Sequence, residues 1–211
     1  MKKFELTNEF ITNMFGTKLF RIRALVEFGD VEAGELGGYV EKESNLGHDD
    51  NAWVYDNAWV YGNARVYGDA QVSGDARVYD NAWVYGDAQV SGDARVYGNA
   101  RVYGNARVYG NAWVYGNAWV YGNALVCSDE DYAYAHGFGS VNRTTTFFRL
   151  KDGGVGVRCG CFYGTLAQFR DKIRETHGET KKAQEYLMLA DLMELRFEED
   201  ENEVGNRKYV E

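Results

Sequence analysis

Between Asn51 and Val126 one six-residue phrase, Asn/Asp-Ala-x-Val-Tyr-Gly, is repeated thirteen times without a gap. Valine returns at 54, 60, 66 and every sixth position to 126, and alanine at 52, 58, 64 and every sixth position to 124. Six residues cannot bury a face by themselves, so a period this strict requires successive units to stack as a solenoid. In an extended strand neighbouring side chains point to opposite faces. Ala and Val therefore share the inward side, and x and Tyr the outward side. Gly followed by Asn or Asp breaks each strand, because Gly accepts positive φ and Asn or Asp makes turn hydrogen bonds. Three phrases then wrap one turn of a triangular prism with a bore for small and β-branched residues. At about 4.8 Å per coil, thirteen phrases predict a little over four coils, roughly 20 Å tall.

An aliphatic residue followed four positions later by a small one is the hexapeptide-repeat pattern of left-handed parallel β-helices. The lead-in, LFRIRALVEFGDVEAGELGGYVEKESNLGHDDNAWV, resembles the entry segment of uncharacterised bacterial and prophage hexapeptide-repeat proteins, some carrying an acetyltransferase label. The resemblance spans about residues 18–126. It implies the left hand of the coil, a phage or prophage setting, and acyl transfer as an activity to weigh.

The expected fold is mainly β: a left-handed parallel β-helix of about four triangular coils, an N-terminal β cap and a small C-terminal α+β domain. Residues 1–50 read as the cap, with Phe20, Ile22, Ala24 and Val26 alternating along a half-buried strand. A solenoid leaves unpaired backbone at its ends, and a cover prevents end-to-end growth. The β-helix takes 51–127, and SDEDYAYAHGFGS falls in a linker over 128–141. In 142–211, TTTFFRLKDGG and VGVRCGCFYG predict a hairpin turning at Lys-Asp-Gly-Gly. Thr165 caps a first helix with Gln168 completing a capping box, and Gly178 ends it. A second helix runs from about Thr180 to Phe197, giving the order ββαα. About seventy residues are marginal alone, so this unit is expected to pack on the solenoid or on a second chain. Its run GVGVRCGCFYGTLAQF also resembles a C-terminal module of bacterial and phage proteins of unknown role.

Residues eighteen apart should stack, which sorts the outward side chains into three faces. Face one carries Trp53/Tyr55, Gln71/Ser73, Gln89/Ser91, Arg107/Tyr109 and Leu125/Cys127. Face two carries Trp59/Tyr61, Arg77/Tyr79, Arg95/Tyr97 and Trp113/Tyr115. Face three carries Arg65/Tyr67, Trp83/Tyr85, Arg101/Tyr103 and Trp119/Tyr121. Faces two and three are Tyr ladders beside Arg/Trp ladders. Face one has a polar window, Gln71, Ser73, Gln89 and Ser91, framed by aromatics. Self-stacking alone accounts for such ladders, at about 0.5–1.5 kcal/mol per contact. Bare aromatic area and Tyr, Trp and Arg are also what interfaces use. The candidate binding residues are thus the window with Trp53, Tyr55, Arg107 and Tyr109 around it, and Trp59, Arg77, Arg95 and Trp113 on face two.

Catalytic chemistry is sparse. No histidine lies between Asn51 and Cys127. His48 matches a histidine in the relatives' entry segment and is the one base an acyltransferase mechanism has to offer. Cys159 and Cys161 sit two apart on a strand and read as buried thiols, with Cys127 and His177 as a weak zinc companion set. Asp69/Asp87 and Asp75/Asp93 stack in columns that offer calcium only two carboxylates each, so they read as solvated turns. No metal or cofactor is expected. A net charge of −9 argues against duplex nucleic acid and anionic membranes as partners. The start MKKFELTNEF lacks the apolar run of a signal peptide, and the odd three cysteines suit a reducing cytoplasm. The expectation is a non-enzymatic, cytoplasmic interaction scaffold. It would self-associate or hold a protein partner, for instance a host defence protein inhibited by a phage. The alternatives are a nucleotide or glycan binder on the aromatic faces and an acyltransferase using His48.

Overall fold

A computed structural model describes residues 2–139 and 142–198. Ser140 and Val141 of the expected linker, the acidic tail beyond Glu198 and the rest of the C-terminal domain to Glu211 lie outside the described residues.

The repeat forms thirteen short strands, β4 (Trp53–Val54) to β16 (Leu125–Val126), in three parallel sheets. Pairing follows the expected spacing of eighteen: Trp53 to Gln71 to Gln89 to Arg107 to Leu125 on face one, and Trp59 to Arg77 to Arg95 to Trp113 on face two. Face three runs Arg65 to Trp83 to Arg101 to Trp119. Every repeat valine and alanine is buried, nearly all at 0 % exposure. The protein is therefore a β-solenoid, mainly β, with its core on the axis.

The solenoid has five coils rather than four, because the first lies outside the repeat. Preceding the repeat are β1 (Phe4–Thr12), β2 (Lys18–Ala24) and β3 (Leu36–Val40). Tyr39 and Val40 pair in parallel with Trp59 and Val60, and Leu46 bridges Val66. Val40, Leu46 and Val54 thus plug the first coil. Gly38 fills its alanine slot because a Cβ there would stand 2.6 Å from the Ala58 carbonyl oxygen. From Leu46 to Val54 the step is eight residues, and the two extra ones make a corner holding His48, Asp49 and Asp50. Within residues 1–50, β2 pairs antiparallel with β1 on one side and β3 on the other, so the cap extends the face-two sheet. The alternation expected along β2 breaks at an irregular step: Leu19, Ile22 and Ala24 are buried while Phe20 is only partly so. β1, which has no clear pattern in the sequence, places Phe4 in the core.

The expected linker contains a strand, β17 (Tyr132–Phe138). It joins β18 (Arg143–Arg149), β19 (Val155–Cys159) and β20 (Phe162–Thr165) in an antiparallel sheet. Two helices follow, α1 (Leu166–His177) and α2 (Lys181–Phe197), so the order is ββββαα instead of ββαα. Thr165, Gln168, Gly178 and Thr180 cap them as their chemistry requires. Adjacent residues on β18 serve two cores. Phe148 joins Tyr132 on the last coil, and Phe147 packs with Phe169, Ile173, Tyr186 and Met193. Leu150 bridges Ala124, and the phenols of Tyr134 and Tyr163 lie against Gly116 and Gly122, where a Cβ would overlap them.

The two ends are closed according to backbone polarity. Along the stack each coil donates its N–H groups to carbonyls of the next, as in Trp53 N–H to Ala70 O at 3.1 Å and Tyr55 N–H to Val72 O at 2.7 Å. The first coil therefore lacks donors for its carbonyls. Lys3, buried at 3 %, supplies them: its Nζ donates to Asp50 O and Ala52 O, both at 2.7 Å. Within that coil, the side-chain amide of buried Asn45 continues the ordinary ladder, donating to Ala64 O of the second coil at 2.8 Å. The last coil lacks acceptors, and oxygens supply them. Trp113 N–H meets Asp129 at 2.6 Å, Trp119 N–H meets Thr146 Oγ1 at 2.9 Å, and Cys127 N–H meets Asp131 at 2.9 Å. Asp131, at 1 % exposure, is paired with buried Arg149 at 3.3 Å.

Candidate functional site

The outward residues of the thirteen strands are held by a flat, hydrogen-bonded backbone, so neighbours one coil apart are forced close. On face two the rings of Tyr61, Tyr79, Tyr97 and Tyr115 stack at 5.1, 5.0 and 5.3 Å. On face three Tyr67, Tyr85, Tyr103 and Tyr121 stack at 5.0, 4.7 and 4.2 Å. Guanidinium groups lie over indoles beside them: Arg77 on Trp59 at 4.3 Å, Arg95 on Trp113 at 4.6 Å, and Arg101 between Trp83 and Trp119 at 4.9 and 4.8 Å. The ladders are half-buried in themselves. Burial raises the phenol pKa of Tyr61, Tyr67, Tyr97 and Tyr103. Tyr79 and Tyr85, flanked by rings on both sides, are pushed up to about 12 by burial and then by those neighbours. Burial likewise raises Tyr55.

The faces differ in what covers them. Face three meets the C-terminal sheet, where Tyr163 packs on Tyr121 at 4.5 Å and Arg158 reaches Trp119 and Tyr121 at 5.5 Å. Face two meets it only at its last coil, through Tyr115 against Tyr132 and Tyr134. Among large apolar residues of the repeat, Trp113 and Tyr115 are the ones that stand out, at 40 and 41 % exposure.

On face one, Gln71, Ser73, Gln89 and Ser91 form one continuous, partly exposed patch, with Arg107 and Tyr109 above and Tyr55 below. Trp53 does not frame it. Although it occupies an outward position of the phrase, it is wholly buried beneath the cap against Phe4 and Phe28, with its indole N–H unpaired. The structure thus keeps eleven of the twelve candidate residues on the surface and takes Trp53 into the core. The corner columns are amide ladders: Asn63 to Asn81 to Asn99 to Asn117 at 3.1, 3.4 and 3.2 Å, and Asn51 to Asp69 at 2.7 Å.

His48 belongs to the cap. Its ring stacks on Phe4 at 4.3 Å, and Nδ1 accepts the Lys3 backbone N–H at 3.2 Å. Cys159 and Cys161 do not share a strand, since β19 ends at Cys159 and Cys161 lies in the following turn. Nor are the thiols buried: Cys161 is exposed, and Cys127 and Cys159 are partly so. His177 stacks on Tyr186 at the end of α1. Among the described residues no three potential metal ligands come together, and no helix is long and apolar enough to cross a membrane.

The repeat is similar to the YdcK β-solenoid repeat. That family model matches residues 58–70, 70–86, 88–104 and 100–116, all inside the repeat block. The YdcK-type match carries the solenoid and neither a hexapeptide-repeat nor an acetyltransferase label. No curated protein matches the chain.

Residues that sequence reasoning missed lie where separate segments meet. Arg143 and Arg158 join Arg101 and Trp119 beside face three. The stacking rule places Arg101 over Trp119, but no local signal brings β18 and β19 to them.

Proposed function

We propose that the chain is a non-catalytic interaction scaffold that docks a protein on face two, centred on Trp113 and Tyr115. One observation carries this: these are the most exposed aromatic side chains of the repeat, and they end a ladder whose ring contacts to the C-terminal unit, among the described residues, are confined to Tyr115 in the last coil. Arg95 over Trp113, with Arg77 and Trp59 beneath, extends the patch with residue types that dominate binding hot spots. Both ends are closed, so the flanks are what remains for contact. The polar window of face one is a second landing place, since short side chains leave room for an incoming element.

In its finer form the scaffold is cytoplasmic and self-associates through an aromatic face, or acts as a phage- or prophage-borne chain on a host protein such as a defence component. Support for the phage-borne version is the resemblance of residues 18–126. What speaks against acyl transfer at His48 is the engagement of its ring and Nδ1 within the cap. Affinity capture from a bacterial lysate, with mass measurement of the purified chain, tests the proposal. Trp113→Ala with Tyr115→Ser should abolish partner retention or the higher mass, while melting stays close to that of the parent. Ser73→Tyr with Ser91→Tyr tests the window separately. Unchanged binding and mass in both variants overturn docking on either face.

A further inference from the structure

We infer that a cleft between face three and the C-terminal sheet binds a phosphate-bearing small molecule of about nucleotide size. This does not rest on docking at face two and uses none of its residues.

The cleft has a volume of about 520 Å³, within the range of ordinary ligand pockets. Its walls come from Arg101 and Trp119 on the solenoid, His136 on β17, Arg143 and Thr144 on β18, and Arg158 on β19. No carboxylate lines it, and none of the three arginines has an ion-pair partner among the described residues. Elsewhere Arg149 is paired with Asp131, Arg170 with Asp191 and Glu194, and Arg174 with Asp171, while Arg77 and Arg95 lie singly over indoles of the coil wall. Converging like charges raise each other's energy, so three arginines that line one cleft with no carboxylate beside them among the described residues, in a chain of net charge −9, favour an anion from outside.

Each guanidinium is held ready. The Arg101 guanidinium is clamped between two indoles and makes no hydrogen bond among the described residues. Arg158 lies over Trp119, donates to Phe162 O at 3.2 Å, and keeps its Nε buried without a hydrogen-bond partner among the described residues. Arg143 rests against Gly160, whose φ is 59°, and any Cβ at that glycine would take the place of the guanidinium. Planar forks of this kind bind phosphate oxygens through two parallel N–H donors. Beside them His136 and Thr144, paired at 3.0 Å, and the amides of Asn99 and Asn117 offer polar contacts to the rest of such a molecule.

Titration calorimetry of the full chain at low salt with ATP, AMP, glucose 6-phosphate and pyrophosphate tests this. Saturable binding of at least one is expected, weakened about tenfold or more by Arg143→Gln. Arg143 is exposed, and among the described residues its guanidinium makes no hydrogen bond, so this variant should melt like the parent. Preference for ATP and AMP over glucose 6-phosphate would identify a nucleotide, and the reverse a sugar phosphate. Absence of binding by all four up to about 10 mM, or unchanged affinity in Arg101→Gln with Arg143→Gln, overturns it. Loss of this binding leaves face-two capture intact, so the two proposals fail separately.

Discussion

At its first coil the solenoid is short of N–H donors, and at its last it is short of oxygen acceptors. The same backbone therefore meets opposite chemistry at its two ends. Lys3 brings an ammonium under the carbonyls of Asp50 and Ala52. Asp129, Asp131 and Thr146 accept the N–H groups at the other end. The two closures also differ in how their charge is balanced. Asp131 has Arg149 at 3.3 Å, while Lys3 has a carboxylate no nearer than Asp50 at 3.6 Å. Burial accordingly lowers the Lys3 pKa despite that carboxylate. A parallel stack has a direction, and a closure that suits one terminus is wrong for the other.

The sharpest way to break this comparison is Asp131→Ala. It strips acceptors from Cys127 and Ser128 and takes the carboxylate at 3.3 Å away from buried Arg149. A loss of about 3–5 kcal/mol in urea unfolding is expected, with hydrogen exchange rising first in the last coil. Lys3→Met should cost less, about 1–3 kcal/mol, because methionine fills the space and escapes ammonium desolvation while two carbonyls go unpaired. Equal losses at both ends would mean that packing, not polarity, seals the rod.

Between the ends the Tyr ladders give the coil walls an alkaline limit. Tyr79 and Tyr85 have folded pKa values raised to about 12 from 10.0. The folded chain then holds protons that the unfolded chain has released, so stability falls as pH rises from 10 through about 12. Lys3 acts in the opposite sense, its lowered pKa favouring the fold as pH climbs toward 10.5, but the ladder tyrosines outnumber it. Tyrosinate absorbance should show late-titrating phenols that appear together with unfolding. The smallest effect concerns Trp53→Phe, expected within about 1 kcal/mol of the parent, since the lost ring contact is offset by removal of an unpaired buried N–H.

The repeat was legible because burial selects Ala and Val at fixed intervals and the register of eighteen follows from three walls. The helices were legible because Thr165, Gln168, Gly178 and Thr180 signal their ends locally. The first coil was hidden by its eight-residue step: counting back six from Val54 lands on His48, whereas two more residues reach Leu46 and then Val40. Trp53 looked like a surface residue because its position in the phrase is outward, and only the long-range placement of Phe4 and Phe28 covers it. The strand β17 was obscured by Gly137 and Gly139 at its far end, and its pairing with β18 supplies what its own sequence does not. The arginine cleft was invisible for the same reason, as its walls are separated in the chain and share only a tertiary contact.

Because each wall repeats every eighteen residues, chain length in this molecule is a quantised variable. Gaining or losing three phrases would move the C-terminal unit along the axis by one coil and leave its bearing relative to the cap unchanged. Gaining or losing one phrase would swing it by a third of a revolution, setting Tyr134, Tyr163 and the arginine-bearing strands over a different wall. Duplication within such a gene is therefore a geometric dial, in which only every third click preserves what faces what.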